Sequence, residues 1–259
     1  MARGDHFSDV SAGYALFRPR YPKALFETLA ALAPRRTLAW DCGAGTGQAT
    51  LDLVEWFDRV IATDLSASQI AQAPQHPRIS WRVASAEATD IDSESVDLVA
   101  VAQALHWFDQ AAFYSEARRV AARGAVIAVW SYGSVQLEGA LGEAVRTFER
   151  VTLGPYWPVE RKQVETSYES IGFPFDPLPV PPIDMSEQWT RDRLLGYLRT
   201  WSATSQYIAI HGSDPVMPFA VELAALWPDG HESRIVSWPL TVRAGRISPT
   251  VLVAVPRVR

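Results

Sequence analysis

Along residues 21–133 the spacing of apolar side chains changes period again and again. Residues 21–33 (YPKALFETLAALA) space them by three and four, the signature of a helix with one buried face; Pro22 suits its first turn and Pro34 ends it. A strand-type run follows at 37–42 (TLAWDC), then a glycine-rich turn, then a helical stretch at 46–58 (TGQATLDLVEWFD). Residues 59–65 (RVIATDL) predict a second strand ending at Asp64, and Ser66 is placed to cap the helix that opens SASQIAQA. A third strand is expected at 79–84 (ISWRVA). Residues 96–102 (VDLVAVA) are apolar almost throughout, as a strand covered on both faces should be. A helix at 110–122, stopped near Arg123 or Gly124, leads to a fifth strand at 125–131 (AVIAVWS).

Strand and helix thus alternate five times. That rhythm predicts an α/β fold: a doubly wound, Rossmann-like, mostly parallel sheet with right-handed crossovers. Ligands of such sheets bind at the carboxyl ends of the strands. After Ser131 the rhythm breaks. Helical patterns at 138–152 and 186–201 surround the Pro-rich segment FPFDPLPVPPIDM, with no Gly/Ser-rich linker and no repeat. One domain is expected over 1–259, with a helical segment at 1–36, a core at 37–133, a mainly helical insertion at 134–215 packed over the sheet, and a final helix and strands at 216–259. The closing strands fall in SRIVSWPLTVRAGR and TVLVAVP, where Pro239 marks an edge or a bend.

Composition narrows the function classes. The 259 residues carry a net charge of −5, with 48% hydrophobic and 20% charged residues, as in an ordinary globular protein. No Lys/Arg run stands out, so no nucleic-acid partner is expected. No run is long enough for a membrane span, and the first residues, MARGDHFSDVSAGY, lack the apolar core of a signal peptide, so the expected compartment is the cytoplasm. The single cysteine, Cys42, excludes an intrachain disulfide and reads as a small buried residue. Ten Trp, several of them near Tyr and Pro in the second half, serve either a core or an aromatic pocket.

The chemistry centres on Asp41-Cys-Gly43-Ala44-Gly45-Thr-Gly47. The glycine spacing is G-x-G-x-G, whereas the dinucleotide pattern is G-x-G-x-x-G with a pyrophosphate on the helix N-terminus. Asp41 is a poor neighbour for pyrophosphate and suits a cationic amino group, which disfavours a nicotinamide-dependent dehydrogenase. Asp64, at the end of the second strand, can accept both hydroxyls of a ribose. Ser85-Ala86-Glu87, after the third strand, can read an adenine edge. An amino acid moiety, a ribose and an adenine without phosphate describe S-adenosylmethionine.

On these residues the chain resembles class I S-adenosylmethionine-dependent methyltransferases. More narrowly, it is similar to the small-molecule group that includes trans-aconitate and cantharidin methyltransferases, through Gln103-Ala-Leu-His106-Trp107-Phe108 and Tyr14-Ala-Leu-Phe-Arg18-Pro-Arg-Tyr21-Pro. The resemblance implies that Asp41, Gly43, Ala44, Gly45 and Gly47 hold the methionine part and that Asp64, with Leu65, holds the ribose. It implies that Ser85, Ala86 and Glu87 meet the adenine, that Gln103 and Ala104 flank the sulfonium, and that Tyr14 and Arg18 close the site. Cys42 departs from the bulkier aliphatic residue usual there.

A sulfonium methyl needs mainly an aligned nucleophile and a dry site. Carboxylates need no base at neutral pH; hydroxyls and ammonium groups do. His106 is the candidate base or orienting donor, with Arg18 and Tyr14 beside it. Phe7, His106, Trp107, Tyr156, Trp157, Tyr197 and Trp201 are the candidate substrate pocket, Tyr197 and Trp201 sharing a helix face at i,i+4. No His/Asp/Glu spacing suggests a metal. The reading is methyl transfer to a small organic molecule, with O-methylation of a carboxylate foremost, by a monomer or homodimer. N- or hydroxyl-methylation and a non-catalytic S-adenosylmethionine-binding module stay open.

Overall fold

The computed structural model describes residues 17–158, 168 and 170–248. In chain order these form α1 (Lys23–Leu32), β1 (Leu38–Cys42), α2 (Gln48–Leu53), β2 (Arg59–Asp64), α3 (Ala67–Gln72), β3 (Ile79–Val83), β4 (Val96–Ala102), α4 (Gln110–Val120) and β5 (Ala121–Tyr132). Beyond them lie α5 (Gly139–Thr147), β6 (Asp176–Leu178), β7 (Ser186–Trp189), α6 (Arg191–Arg199), α7 (Ser202–His211), α8 (Val216–Leu226), β8 (Arg234–Ser237) and β9 (Leu240–Arg246). No helix among the described residues is long and apolar enough to cross a membrane.

Seven strands make one sheet in the order β3-β2-β1-β4-β5-β9-β6. The pairs from β3 to β5 are parallel, and β9 runs antiparallel to both β5 and β6. This is the doubly wound, Rossmann-like fold that the alternation predicts. The central strands are buried on both faces, and their residues divide by parity. Leu98, Ala100, Val126, Ala128 and Trp130 join one core with Leu25, Phe26 and Leu29 of α1. Val99, Val101, Ile127 and Val129 join the other with Phe113 and Ala117 of α4. Covering each face with helices is what a near-continuous apolar strand requires.

Several element boundaries differ from the sequence pattern. The helix expected at 46–58 is regular only over Gln48–Leu53. The helical pattern at 138–152 is α-helical over Gly139–Thr147 and widens to a π-turn over Phe148–Thr152. The pattern at 186–201 is not one helix. Ser186–Trp189 pair with Arg234–Ser237 as a separate two-stranded sheet, and Thr190 caps a helix that ends at Arg199. The strand β6 within 134–215 also joins the main sheet through β9, so this stretch is not helical throughout. Pro239 lies at the bend where the chain leaves β8 for β9, so the closing segment splits between two sheets. The stretch TVLVAVP lies outside the described residues.

Candidate active site

The carboxyl ends of β1, β2 and β4 bring the glycine turn, Asp64 and Gln103 to one edge of the sheet. Asp41, the fourth residue of β1, is fully buried. Thr50 of α2 donates its hydroxyl to Asp41 Oδ2 at 2.6 Å. The other oxygen, Oδ1, is buried with no hydrogen-bond partner among the described residues. Burial raises the Asp41 carboxyl to about 7; the Thr50 hydrogen bond pulls it down and the nearby Asp64 charge adds to the rise. A buried carboxylate with one bare oxygen is a costly arrangement unless a donor or cation completes it. The neighbouring Cys42 thiol is pushed up by the same burial, as expected of a packing residue.

The turn after Asp41 is held by backbone. The amides of Gly43 and Ala44 both donate to the Thr63 carbonyl, at 2.8 and 2.9 Å. Gly43 and Gly47 each combine a left-handed backbone with a neighbour that a Cβ would strike. Gly43 has φ +74°, and a Cβ on it would sit 2.6 Å from the Ala104 Cβ. Gly47 is the left-handed N-cap of α2, and its Cβ would meet the Trp81 indole at 2.3 Å. At Gly43 and Gly47 the turn therefore presents bare backbone because the neighbours leave no room for a side chain.

Asp64 stitches β2 to this turn. Its Oδ2 accepts from the Gly45 amide at 2.9 Å and its Oδ1 from the Ser66 amide at 2.8 Å. Each oxygen keeps acceptor capacity for a hydroxyl. Leu65 beside it is exposed, and Ser66 caps α3 as its position implied. At the third strand end, the Glu87 carboxylate accepts from the Ser85 hydroxyl and, at 2.9 Å, from the Asp109 amide. It braces the loop against the N-cap of α4, and buried Ala86 lies between.

After β4 the chain turns sharply. Gln103 has φ +55°, a rare and strained conformation for a residue with a side chain. Its amide donates to the Trp130 carbonyl at 2.9 Å and its side chain to the Tyr132 carbonyl at 3.1 Å, so both ends of the residue are tied to β5. Ala104 then lies against Gly43, and a short turn over Leu105–Trp107 carries His106 and Trp107. His106 Nδ1 is 3.0 Å from the Tyr168 hydroxyl.

Arg18 reaches the end of β5. It donates to the Tyr132 hydroxyl at 3.2 Å and to the Thr200 carbonyl at 3.1 Å, with its guanidinium 5.5 Å from the centre of the Tyr197 ring. Tyr14 and Phe7, also expected at the site, lie outside the described residues. The expected pocket aromatics do not behave alike. Tyr197 is buried in a cluster with Trp189, Trp201 and Trp238, and its hydroxyl accepts from the Trp238 indole at 3.3 Å. Tyr197 and Trp201 do not share a helix face, because the helix ends at Arg199 and Trp201 caps the next one. Their rings still meet, at 5.6 Å. Both are core residues here, and only the Tyr197 face under Arg18 bears on the site. Trp157 leans on Trp201 and donates to the Glu149 carbonyl at 3.1 Å. Tyr156 bonds His211 Nε2 at 2.6 Å, in a partly exposed group with Tyr207.

Four contributors escaped the sequence pattern: Thr50, Tyr132, Trp81 and Tyr168. Thr50 had a signal, since a buried acid needs a donor and the first turn of the following helix is within reach. Tyr168 had none, because it sits in a stretch without periodicity.

A methyltransferase domain model matches residues 40–129, the span from β1 into β5. A candidate methyltransferase of Dictyostelium discoideum is 33% identical over 219 residues, 83% of this chain and 82% of that protein. The chain belongs to the methyltransferase family. A solved structure of a candidate type II methyltransferase from Anaeromyxobacter dehalogenans is 45% identical to this methyltransferase, with a TM-score of 0.85 over 90% of this chain and 99% of that one. An uncharacterized methyltransferase of Mycobacterium tuberculosis is 36% identical over 178 residues, 62% of this chain and 70% of that protein. Family and fold make the protein a class I S-adenosylmethionine-dependent methyltransferase. The bare Asp41 oxygen, the glycine-rich turn and the acceptor capacity of Asp64 fit that cofactor.

Proposed function

We propose that this methyltransferase methylates a small organic molecule and that the accepting atom is a carboxylate oxygen. The observation that carries the acceptor class is Arg18. Its cation is anchored by Tyr132, Thr200 and the Tyr197 ring beside the carboxyl end of β5. A guanidinium on an aromatic wall suits a planar anion. The resemblance of the Tyr14–Pro22 and Gln103–Phe108 stretches to the trans-aconitate and cantharidin group supports the same class. The net charge of −5 favours neither nucleic acid nor an anionic membrane as partner.

Asp41 Oδ1 would take the cofactor's ammonium, and the Gly43–Gly47 turn would let its methionine part approach the backbone. Asp64 would take the ribose hydroxyls. The loop at Ala86, braced by Glu87, would meet the adenine. Gln103 and Ala104 would border the sulfonium. The bound cofactor supplies a methyl group on a positively charged sulfur, already a strong electrophile. The protein's own work is to hold a desolvated carboxylate in line with it.

The test is production of S-adenosylhomocysteine over panels of carboxylic acids, phenols and amines. Acids are expected to be the productive panel. Arg18→Ala should raise KM for acids by about tenfold or more, the worth of a charge-assisted hydrogen bond. Cofactor binding without turnover of any panel would place the chain among binding modules instead.

A further inference from the structure

Methyl transfer leaves the role of His106 open between base and hydrogen-bond donor. The structure supplies a partner for it that the sequence did not suggest. Tyr168 is buried, at 1% exposure, with its ring 5.9 Å from that of His106, which Trp107 flanks at 4.8 Å. Its backbone is left-handed, φ +58°. Arg243 of β9 holds it there by donating to the carbonyls of Tyr168 and Ile171 at 2.9 and 2.8 Å, and the Ile171 amide closes the turn onto Tyr168. A bulky residue keeps such a conformation only where its surroundings impose it.

The proton on this pair can be placed by counting. Burial pushes the Tyr168 phenol well above its ordinary range, so it keeps its hydrogen. Among the described residues the one hydrogen-bond partner of that phenol is His106 Nδ1, at 3.0 Å. A buried O–H with no acceptor costs about 1–3 kcal/mol. The phenol therefore donates, Nδ1 accepts, and the neutral imidazole carries its hydrogen on Nε2.

We propose that Tyr168 is a positioning residue that fixes His106 as the Nε2–H tautomer, so that His106 meets the acceptor as a hydrogen-bond donor and not as a base. This rests on the reading of the acceptor as a carboxylate. In that transfer the carboxylate oxygen forms a bond to the methyl carbon. The S–CH3 bond breaks and its electron pair stays on sulfur. No proton moves, so no base is needed. What the acceptor needs is orientation, which a donor to its second oxygen supplies. For a phenol or an ammonium the tautomer would have to flip, and the flip would strand the Tyr168 hydrogen.

The test is a long-range 1H–15N spectrum of the full-length 15N-labelled protein, in buffer alkaline enough for neutral imidazole, with and without S-adenosylhomocysteine. The His106 signals are assigned by their loss in His106→Gln. An acceptor-type Nδ1 and a protonated Nε2 are expected, and Tyr168→Phe, checked for folding by its melt, should lose that single tautomer. Kinetics give an independent readout. The Gln side chain can donate but cannot act as a base, so His106→Gln should stay within about fivefold of wild type. His106→Ala should raise KM about tenfold or more with a smaller change in kcat. A protonated Nδ1 in the wild type overturns the proposal whatever the substrate. So does a fall in kcat of about a hundredfold or more in both variants, as loss of a base would give. Preference for phenols or amines would instead overturn the acceptor reading, and the spectrum would still decide the tautomer.

Discussion

The sheet edge at the carboxyl ends of β1, β2 and β4 and the aromatic layer beyond β5 satisfy their polar groups in opposite ways. At the edge, backbone amides converge on a few acceptors: Gly43 and Ala44 on the Thr63 carbonyl, Gly45 and Ser66 on Asp64. One buried oxygen, Asp41 Oδ1, is left over. In the layer, Trp189, Tyr197, Trp201 and Trp238 pack ring to ring, and the polar atoms of Trp189, Tyr197 and Trp238 are bonded inside the layer, including Trp189 Nε1 on Glu187 at 2.9 Å. The edge holds an unsatisfied group that a ligand can complete. The layer is finished without one. Mutations in the first should separate binding from stability, and mutations in the second should not.

Asp41 gives the largest separation. Its folded carboxyl stands at about 7 against an ordinary 3.8, so between those values the folded state binds a proton that the unfolded state lacks. The sign is the reverse of the usual acidic case: this contribution is full at low pH and is lost as pH rises through about 7, by roughly 4 kcal/mol at most. Asp41→Asn should therefore melt higher than wild type above about pH 7 and show a weaker pH dependence. Its affinity for S-adenosylhomocysteine should drop sharply, since the ammonium loses its counter-charge. For the wild type, binding should weaken as pH falls below about 7 and should release a proton on complexation, read from calorimetry in buffers of different ionisation heat. A variant that binds normally would show that Asp41 Oδ1 faces no cation.

Gly43→Val comes next. The new Cβ would meet the Ala104 Cβ at 2.6 Å, at a φ that a β-branched residue resists. A loss of about 3 kcal/mol, or roughly a hundredfold in S-adenosylhomocysteine affinity, is expected. Gly154→Ala, where a Cβ meets nothing within 4 Å, is the control in the covering layer and should change neither binding nor melting. Equal behaviour of the two variants would break the claim that the turn is bare because its ligand and neighbours require it.

This contrast also explains what could be read from the sequence. The strands at 96–102 and 125–131 announce themselves because burial on both faces demands unbroken apolar runs. The strand-end positions of Asp41, Gly43, Gly47 and Asp64 are legible because residue type and spacing within about twenty positions mark the strand–turn–helix unit. The layer is not legible in this way. Ser186–Trp189 look helical in isolation and become a strand only because residues 234–237 arrive beside them. Tyr197 looks like a pocket wall, yet its hydroxyl is taken by Trp238, 41 residues on. Side-chain partners at that separation leave no trace in local periodicity.

Asp64→Ala should act more gently than the turn variant. It removes the acceptor shared by the Gly45 and Ser66 amides together with the two oxygens offered to a ribose. A fall of about tenfold or more in S-adenosylhomocysteine affinity is expected, with a modest loss in melting temperature. Asp64→Asn keeps one acceptor oxygen and should lie between. An Asp64→Ala protein that binds the nucleoside as tightly as wild type would move the ribose elsewhere on the edge.

Tyr197→Phe should have the smallest effect and the opposite pattern. The ring stays between Trp189, Trp201 and Trp238, and only the hydroxyl that accepts from the Trp238 indole is lost. The Trp238 N–H is then buried without that acceptor, a loss of about 1–2 kcal/mol read as a lower melting temperature. S-adenosylhomocysteine affinity should not change, because the one hydrogen bond removed, from the Trp238 indole, lies within the layer. The Arg18 guanidinium keeps the ring face beneath it, so KM for an acid acceptor should also stay within about twofold. A large rise in that KM with an unchanged melting temperature would mean that the hydroxyl faces the acceptor instead of finishing the core, and the division between an open edge and a closed layer would then run through Tyr197 itself.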